Sequence, residues 1–412
     1  MTKAKHDPMQ TVASLRESQW MSIGSELERQ AAEQADQTAL IFEDRFISFG
    51  ELNQLSNQYA HFFSQQGFKK GDVVALLMEN RPEFLIAATG LSKLGVIISL
   101  INNGVRNEVL AHALNICDAQ ALIIGEELLE PYLQIKDQIH LQDPASIYIE
   151  GQKPPSPLPS GVEWLNPLLA DCPRDNPSTT GQVNSDDIAV YIYTSGTTGF
   201  PKATAVTQKR WLILGNLFTL FGQMDSDTVQ YMVLPLYHNS GFDIGYSSLI
   251  VSGGTMVLRR RFSARAFWKD VHQYNISFFI YVGELCRYIY NQPPQPDDAD
   301  NPLKVAVGNG MRGDLMVPFR ERFGLERLVE IYGATEGVGS FINLEEIPGM
   351  CGNLVMAGMR QGEIIRYDFD KEEIIRDENG FAVKCQPGET GLLICEINEL
   401  NVFAGYVNNP AA

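Results

Sequence analysis

No two cysteines in this 412-residue chain form a Cys-x-x-Cys pair; the six stand at 117, 172, 286, 351, 385 and 395. That argues against a thiolate metal site and for reduced thiols in a cytoplasmic setting. Positive charge is scarce: 32 Lys and Arg face 50 Asp and Glu, a net charge of −18. General nucleic-acid binding, which wants a basic surface, is set aside on that ground. Any site for a polyanion must then be locally positive against the background field. Long apolar runs are missing as well. The most apolar stretch, Phe84 to Ile101, is broken by Ser92, Lys93 and Gly95 and reads as a helix followed by a strand rather than a membrane span. Met1 to Gln30 is polar and charged, without the apolar core of a signal peptide. No internal repeat is evident.

What is present is an ordinary soluble composition, 44% hydrophobic and 20% charged, in a chain long enough for two or three subdomains. Residues 11–36 suggest an amphipathic lead-in helix. Short apolar runs at Thr38–Phe42, Val73–Leu77, Val96–Leu100 and Ala119–Ile124 read as strands. Between them, Ser48 with Glu51 three residues on marks a helix start, Gly67 its end, and Arg81-Pro82-Glu83 another start. Strands alternating with helices predict an α/β fold with mainly parallel sheets. Eight of the 21 prolines fall within 141–187, including Pro154-Pro155-Ser156-Pro157-Leu158-Pro159, so a boundary is expected there. The expected division is 1–187, 188–339 and 340–412. The last part loses helical periodicity: Gly362–Arg366, Glu373–Arg376 and Leu392–Ile397, with a hairpin signal at Asp377-Glu378-Asn379-Gly380, suggest a small β-barrel.

The chemistry centres on Tyr193-Thr194-Ser195-Gly196-Thr197-Thr198-Gly199-Phe200-Pro201-Lys202, which follows the buried-strand run Ile188–Tyr193. Four hydroxyls can donate to phosphate oxygens. Gly196 and Gly199 let backbone N–H groups approach an anion, and Lys202 adds a compact positive charge. The spacing is not that of the common P-loop, which needs Gly-Lys-Ser/Thr in immediate succession. A second segment, Tyr332-Gly333-Ala334-Thr335-Glu336-Gly337, follows the strand Val329–Ile331. Its tyrosine face suits stacking on a base. A carboxylate beside a polyphosphate needs a cation between them, so Glu336 implies Mg2+, a hard cation that takes oxygen ligands. His238 sits in a loop after a strand, Pro235 to Gly241, where α/β folds place ligands; a backbone-bonded loop histidine is the competing reading. Arg259-Arg260-Arg261 reads first as a solvated edge and second as a site for the phosphates of CoA or an anionic lipid surface.

The Tyr193–Lys202 segment resembles the signature of the adenylate-forming superfamily of acyl-CoA synthetases, luciferases and peptide-synthetase adenylation domains, and the Tyr332–Gly337 hexapeptide fits it. Phe278-Phe279-Ile280-Tyr281-Val282-Gly283-Glu284-Leu285-Cys286-Arg287-Tyr288 is similar to a segment of its fatty acid transport protein branch of long- and very-long-chain acyl-CoA synthetases. Lys70–Leu76, Glu79–Phe84, Asn102–Arg106, Pro387–Leu393 and Phe403-Ala404-Gly405-Tyr406 also resemble the family. The resemblance implies the N-terminal domain of an adenylate-forming enzyme, with two mainly parallel sheets sandwiched with helices and a small distorted β-barrel. It implies ATP and AMP contacts at Thr194, Ser195, Gly196, Thr197, Thr198, Gly199, Lys202, Gly308, Asn309, Gly310, Tyr332, Gly333, Ala334 and Thr335. Catalytic roles fall to Thr197, Lys202, Thr335 and Glu336, metal contacts to Glu336 and Thr197, and the acyl pocket to His238, Gly241, Tyr281 and Gly283, with the 278–288 segment as a tunnel wall.

On this resemblance the expected reaction is a two-step ligation. A fatty carboxylate and ATP give acyl-AMP and pyrophosphate, then CoA gives acyl-CoA and AMP. Positioning and charge neutralisation carry it, so the lack of a Ser-His-Asp pattern is no obstacle. Family members continue with a Thr-Gly-Asp segment and a mobile C-terminal domain bearing a lysine. This sequence has no Thr-Gly-Asp, so an N-terminal domain impaired in turnover on its own is expected. The alternatives are a non-catalytic ATP- or fatty-acid-binding module and a ligase delivering to a carrier protein. Partners are the fatty acid, ATP and CoA, with peripheral membrane association and a homodimer left open.

Overall fold

The structure, a computed structural model, describes residues 20–141, 146–194, 199–337, 339–356, 359–360, 362–397, 403 and 405–408. Two large sheets organise the chain. The first has the order β7-β6-β5-β3-β4-β8-β9, built from β3 (Val73–Leu77), β4 (Ile97–Leu100), β5 (Ala121–Gly125), β6 (Ile147–Glu150), β7 (Glu163–Trp164), β8 (Ile188–Thr194) and β9 (Lys202–Thr207). All neighbours are parallel except the β8–β9 hairpin. The second runs β15-β14-β13-β12-β10-β11-β1-β2. It contains β1 (Thr38–Phe42), β2 (Arg45–Ser48), β10 (Val229–Met232), β11 (Thr255–Leu258), β12 (Phe278–Val282), β13 (Val305–Asn309), β14 (Arg327–Gly333) and β15 (Ser340–Asn343). Its six inner strands are parallel and its two edges antiparallel.

Strands buried on both faces explain the unbroken apolar runs. Along β3, Val74 and Leu76 enter the large core between the sheets, while Val73, Ala75 and Leu77 enter a second core on the outer face. Along β12, Phe278 and Ile280 face the shared core, and Phe279 and Tyr281 face a third core. The helices Ile23–Glu33, Phe49–Gln65, Pro82–Ser92 and Gln208–Phe221 contribute the shared core's remaining side chains, Leu27, Phe63, Leu91 and Trp211 among them. Their starts are legible locally. Ser48 Oγ accepts from the Glu51 N–H at 3.2 Å, and Pro82 opens its helix.

Two expectations change. The sheets do not divide at 187: β8 and β9 complete the first sheet, and β1 and β2 close the second, because Leu40–Phe42 pair with Met256–Leu258. The proline-rich stretch is therefore no boundary; β6 and β7 lie within it, and Pro154–Pro159 merely connects them. After β15 the described residues form three two-stranded ribbons, with no closed barrel among them: Val355–Met356 with Met359–Arg360, Glu363–Ile365 with Leu392–Ile394, and Tyr367–Asp368 with Glu373–Ile374. The Asp377–Gly380 turn does form, with the Asp377 N–H on the Phe381 carbonyl at 2.9 Å.

Lys93 shows how tightly the helices are tied. Its fully buried ammonium donates to Glu28 Oε1 at 2.9 Å and to Asn53 Oδ1 and Asn57 Oδ1 at 2.6 Å each. Burial pulls its pKa down to about 8 from the usual 10.5. Lys93→Met, which strands these three acceptors, should destabilise the fold by about 3 kcal/mol at neutral pH, read from the urea midpoint. Between pH 8 and 10.5 the unfolded chain keeps a proton that the folded chain gives up, so rising pH favours the folded state there. The methionine variant should lack that gain.

Candidate active site

Parallel pairing decides where the site lies. β10, β12, β13 and β14 all run the same way, so the loops leaving their C-terminal ends open at one edge of the second sheet. That edge gathers Gly283 after β12, Gly308-Asn309-Gly310 at the end of β13, Tyr332-Gly333-Ala334 at the end of β14, and the Pro235–Gly241 loop beyond β10.

One buried carboxylate shapes the middle of this edge. Glu330 on β14 accepts from the Gly310 N–H and the Met311 N–H at 3.0 Å each, and from the Tyr281 hydroxyl at 2.6 Å. Burial raises its pKa, and the three donors pull it back. The bonds fix the glycine loop, in which Gly310 has φ +79°. Gly283 is forced by the same packing, since a Cβ there would strike the Gly310 carbonyl. Above the loop, the Tyr332 ring is 48% exposed and free to stack on a flat ligand, and Gly333 and Ala334 beside it are exposed. Tyr281, on β12, is fully buried in the outer core, and its hydroxyl donates to Glu330, so it supports the glycine loop. Through Tyr281, β12 is packed on both faces, and the helix Gly283–Tyr290 follows it.

The phosphate segment arrives from the other sheet, on the β8–β9 hairpin. Ser195, Gly196, Thr197 and Thr198 lie outside the described residues; Thr194 and Lys202 are paired across the hairpin. The helix Asn107–Asn115 holds both arms of the loop. The Tyr193 hydroxyl donates to the Ala113 carbonyl at 2.5 Å, the His112 ring stacks on Phe200 at 4.7 Å, and His112 Nε2 bonds the Pro201 carbonyl at 3.2 Å. Gly199, at φ +133°, takes a backbone conformation that suits glycine.

Tyr406 joins the two segments. Its backbone pairs with Thr204 on β9, and the Val407 N–H donates to the Ala203 carbonyl at 2.9 Å. Lys202 Nζ lies 4.9 Å from the centre of the Tyr406 ring, and the Tyr406 hydroxyl donates to Glu336 Oε1 at 2.8 Å. The lysine of one motif and the acid of the other thus converge on one side chain. Glu336, half-buried after Thr335, supplies a single carboxylate, and no cluster of three His, Cys, Asp or Glu capable of holding a metal occurs among the described residues. One carboxylate with room for phosphate oxygens and water is a donor set that fits Mg2+.

In the Pro235–Gly241 loop, His238 Nδ1 accepts from the Ser240 N–H at 3.3 Å, and partial desolvation lowers its pKa. The backbone-bonded reading of this histidine is therefore present in the geometry. Gly241 is buried against the Pro235 carbonyl at the start of a π-helical stretch, Ser240–Tyr246, a form frequent at functional sites. The arginine triplet is engaged by acids, favouring its structural reading. Arg259 forks onto Asp270, Arg260 meets Glu43 at 3.2 Å, and Arg261 meets Glu79 at 2.7 Å.

A family model described as AMP-binding enzyme matches residues 27–407. The chain belongs to this family. It is 35% identical to a medium/long-chain fatty acid–CoA ligase of Mycobacterium tuberculosis, over 95% of this chain and 63% of that protein. It is 36% identical to mouse long-chain fatty acid transport protein 1, over 92% and 60% respectively. The chain therefore spans about three-fifths of the length of these relatives. Among solved structures it is similar to the anthranilate CoA ligase AuaEII (TM-score 0.78, 20% identity, 96% of this chain and 73% of that one). It is also similar to the N-terminal domain of FACL13 from Mycobacterium tuberculosis (TM-score 0.75, 20% identity, 95% and 92%). These likenesses establish the adenylate-forming α/β fold.

Sequence reasoning missed Glu330 and Tyr406. A lone acid between Val329 and Ile331 in a buried strand was the signal for Glu330. Tyr406 lay in a segment noted only for its family likeness. Replacing Glu330 with Gln sets an amide N–H against backbone donors, at a cost of about 1–3 kcal/mol. Calorimetric titration of the intact protein with AMP should show affinity weakened about tenfold, in line with that cost. Unchanged affinity would separate the glycine loop from the nucleotide.

Proposed function

We propose that the intact protein is an AMP-forming ligase that activates a long-chain fatty carboxylate with ATP and transfers the acyl group to CoA. The observation that carries this reading is the meeting of Lys202 and Glu336 at Tyr406, beside an exposed Tyr332 and a glycine loop, in a member of the AMP-binding enzyme family. The long-chain substrate rests on the named activities of the relatives. Operation in the cytoplasm, peripherally at the inner face of a membrane, is part of the proposal.

In the first step a carboxylate oxygen attacks the α-phosphorus. The bond between that phosphorus and the oxygen bridging to the β-phosphate breaks, and pyrophosphate leaves with the electron pair. Two anions meet, so the chain's work is positioning and neutralisation. Lys202 neutralises phosphate charge, Thr335 binds the α-phosphate, and Tyr332 stacks on the adenine above Gly308–Gly310. Glu336 would hold Mg2+, which when bound offsets phosphate charge as a Lewis acid. In the second step the CoA thiolate attacks the acyl carbonyl and AMP departs. Thr197 and its neighbours belong to the same proposal through their motif.

The test is pyrophosphate release by the intact protein across fatty acids of increasing length, with and without CoA. Glu336→Gln should lower release about hundredfold at saturating substrates, the several kcal/mol expected of a metal's charge stabilisation. Lys202→Ala should raise the Kd for ATP about tenfold, one charge-assisted hydrogen bond's worth. Wild-type rates from Glu336→Gln would remove the metal assignment. Binding of ATP without pyrophosphate release by the wild type would favour a binding module.

A further inference from the structure

Arg210 occupies the first turn of the helix Gln208–Phe221, eight positions after Lys202, and its N–H is capped by Thr207 Oγ1 at 3.2 Å. Its guanidinium reaches across to the other motif, where Nη2 donates to the Thr335 carbonyl. Gly337 lies directly on it: a Cβ there would sit 2.6 Å from Arg210 Cζ, and the backbone turns with φ +79°. So the peptide carrying Glu336 is seated on a half-buried cation. Trp211 Nε1 donates to the Phe242 carbonyl at 3.2 Å, which packs the turn carrying Arg210 against the segment carrying Asp243, so that both Asp243 and Glu336 act on the guanidinium. Asp243 is fully buried in the π-helical stretch that follows His238, and among the described residues both of its carboxylate oxygens lack a hydrogen-bond partner, as does Arg210 Nη1.

A desolvated guanidinium with a single carbonyl partner is unstable unless opposite charge is near. If Glu336 were the only source, the stable arrangement would be an ion pair between Arg210 and Glu336. That pair would occupy the oxygens a hard cation needs. Burial raises the Asp243 carboxyl to about 7 while Arg210 pulls it back, so above that pH Asp243 supplies the opposing charge from a separate segment and leaves Glu336 to Tyr406 and the cation. We infer that Arg210 is a positioning residue for the Thr335–Glu336 peptide, and that Asp243, acting through Arg210, keeps the guanidinium off the Glu336 carboxylate. The loop that borders the acyl side is thereby coupled to the metal carboxylate. The inference rests on the proposed function, since it gives Glu336 its task.

The experiment compares the intact wild type with Asp243→Asn, Arg210→Lys, Arg210→Met and the double variant Asp243→Asn/Arg210→Met. Three quantities are read: Mn2+ binding by electron paramagnetic resonance with α,β-methylene-ATP present, kcat and KM for ATP in pyrophosphate release, and the melting temperature. Asp243→Asn should weaken Mn2+ binding about tenfold, the scale for residues that orient a metal ligand, while metal-free affinity for the analogue holds. Arg210→Met should lower kcat about hundredfold through displacement of the Thr335–Glu336 peptide, with Arg210→Lys recovering part of it. The double variant should be no worse than Arg210→Met, because Asp243 acts through Arg210. If the variants only lower the melting temperature, with Mn2+ affinity and kcat of the folded fraction at wild-type values, the inference is overturned. Additive losses in the double variant overturn the coupling. A wild type that neither binds Mn2+ with the analogue nor releases pyrophosphate sinks the ligase reading itself, a separate result.

Discussion

Parallel hydrogen bonding between strands is the constraint on which everything else here depends. Because β10, β12, β13 and β14 run in one direction, four loops distant in sequence open at one edge, and no long-range side-chain contact is needed to bring them there. The same pairing requires crossover helices, and those cover both faces of each sheet. A strand such as Phe278–Val282 must then be apolar throughout, whatever its role in catalysis. The aromatic side chains of this strand accordingly divide between two core faces.

The phosphate segment obeys a different rule. It hangs from an antiparallel hairpin at the edge of the first sheet, and the hairpin alone would leave Lys202 unrelated to Glu336. The relation comes from residues 405–407, which add backbone bonds to β9 and carry Tyr406 between the two charged groups. A phenol suits this place. Its ring face attracts the ammonium and its hydroxyl donates to the carboxylate, so it keeps opposite charges apart without leaving either unpartnered. Burial and the Glu336 bond raise its pKa, which keeps the donor proton in place at neutral pH.

How far the sequence could be read follows from the range of the forces involved. Strands at Thr38–Phe42 and Val73–Leu77 coincide with the apolar runs, because buried parallel strands announce themselves in local composition. The helix starts at Ser48 and Pro82 were legible for the same reason: capping is settled within four residues. Sheet membership was not legible. Nothing in Thr38–Phe42 says that its partner is Thr255–Leu258, more than two hundred residues on, so the division at 187 failed. Motif residues such as Lys202 and Glu336 stood out by type and spacing. Glu330 and Arg210 did not, since each acts on a loop brought to it by the fold, and single charged residues carry no periodic signature.

Net charge completes the argument. A chain at −18 repels a nucleotide triphosphate at long range, so affinity must come from a few cations at short range. Most arginines near the sheet edges cannot serve, because acids already hold them: Arg259 by Asp270, Arg261 by Glu79, Arg320 by Glu346. Arg210 is arranged differently, with its bond on a backbone carbonyl and its balancing acid at a distance. An acidic protein that ties most of its guanidinium groups to carboxylates removes them as rival phosphate sites. On the proposed function, the polyanion would be directed to the loop where Lys202 and the carboxylate of Glu336 are held apart, and there a divalent cation would complete the charge balance.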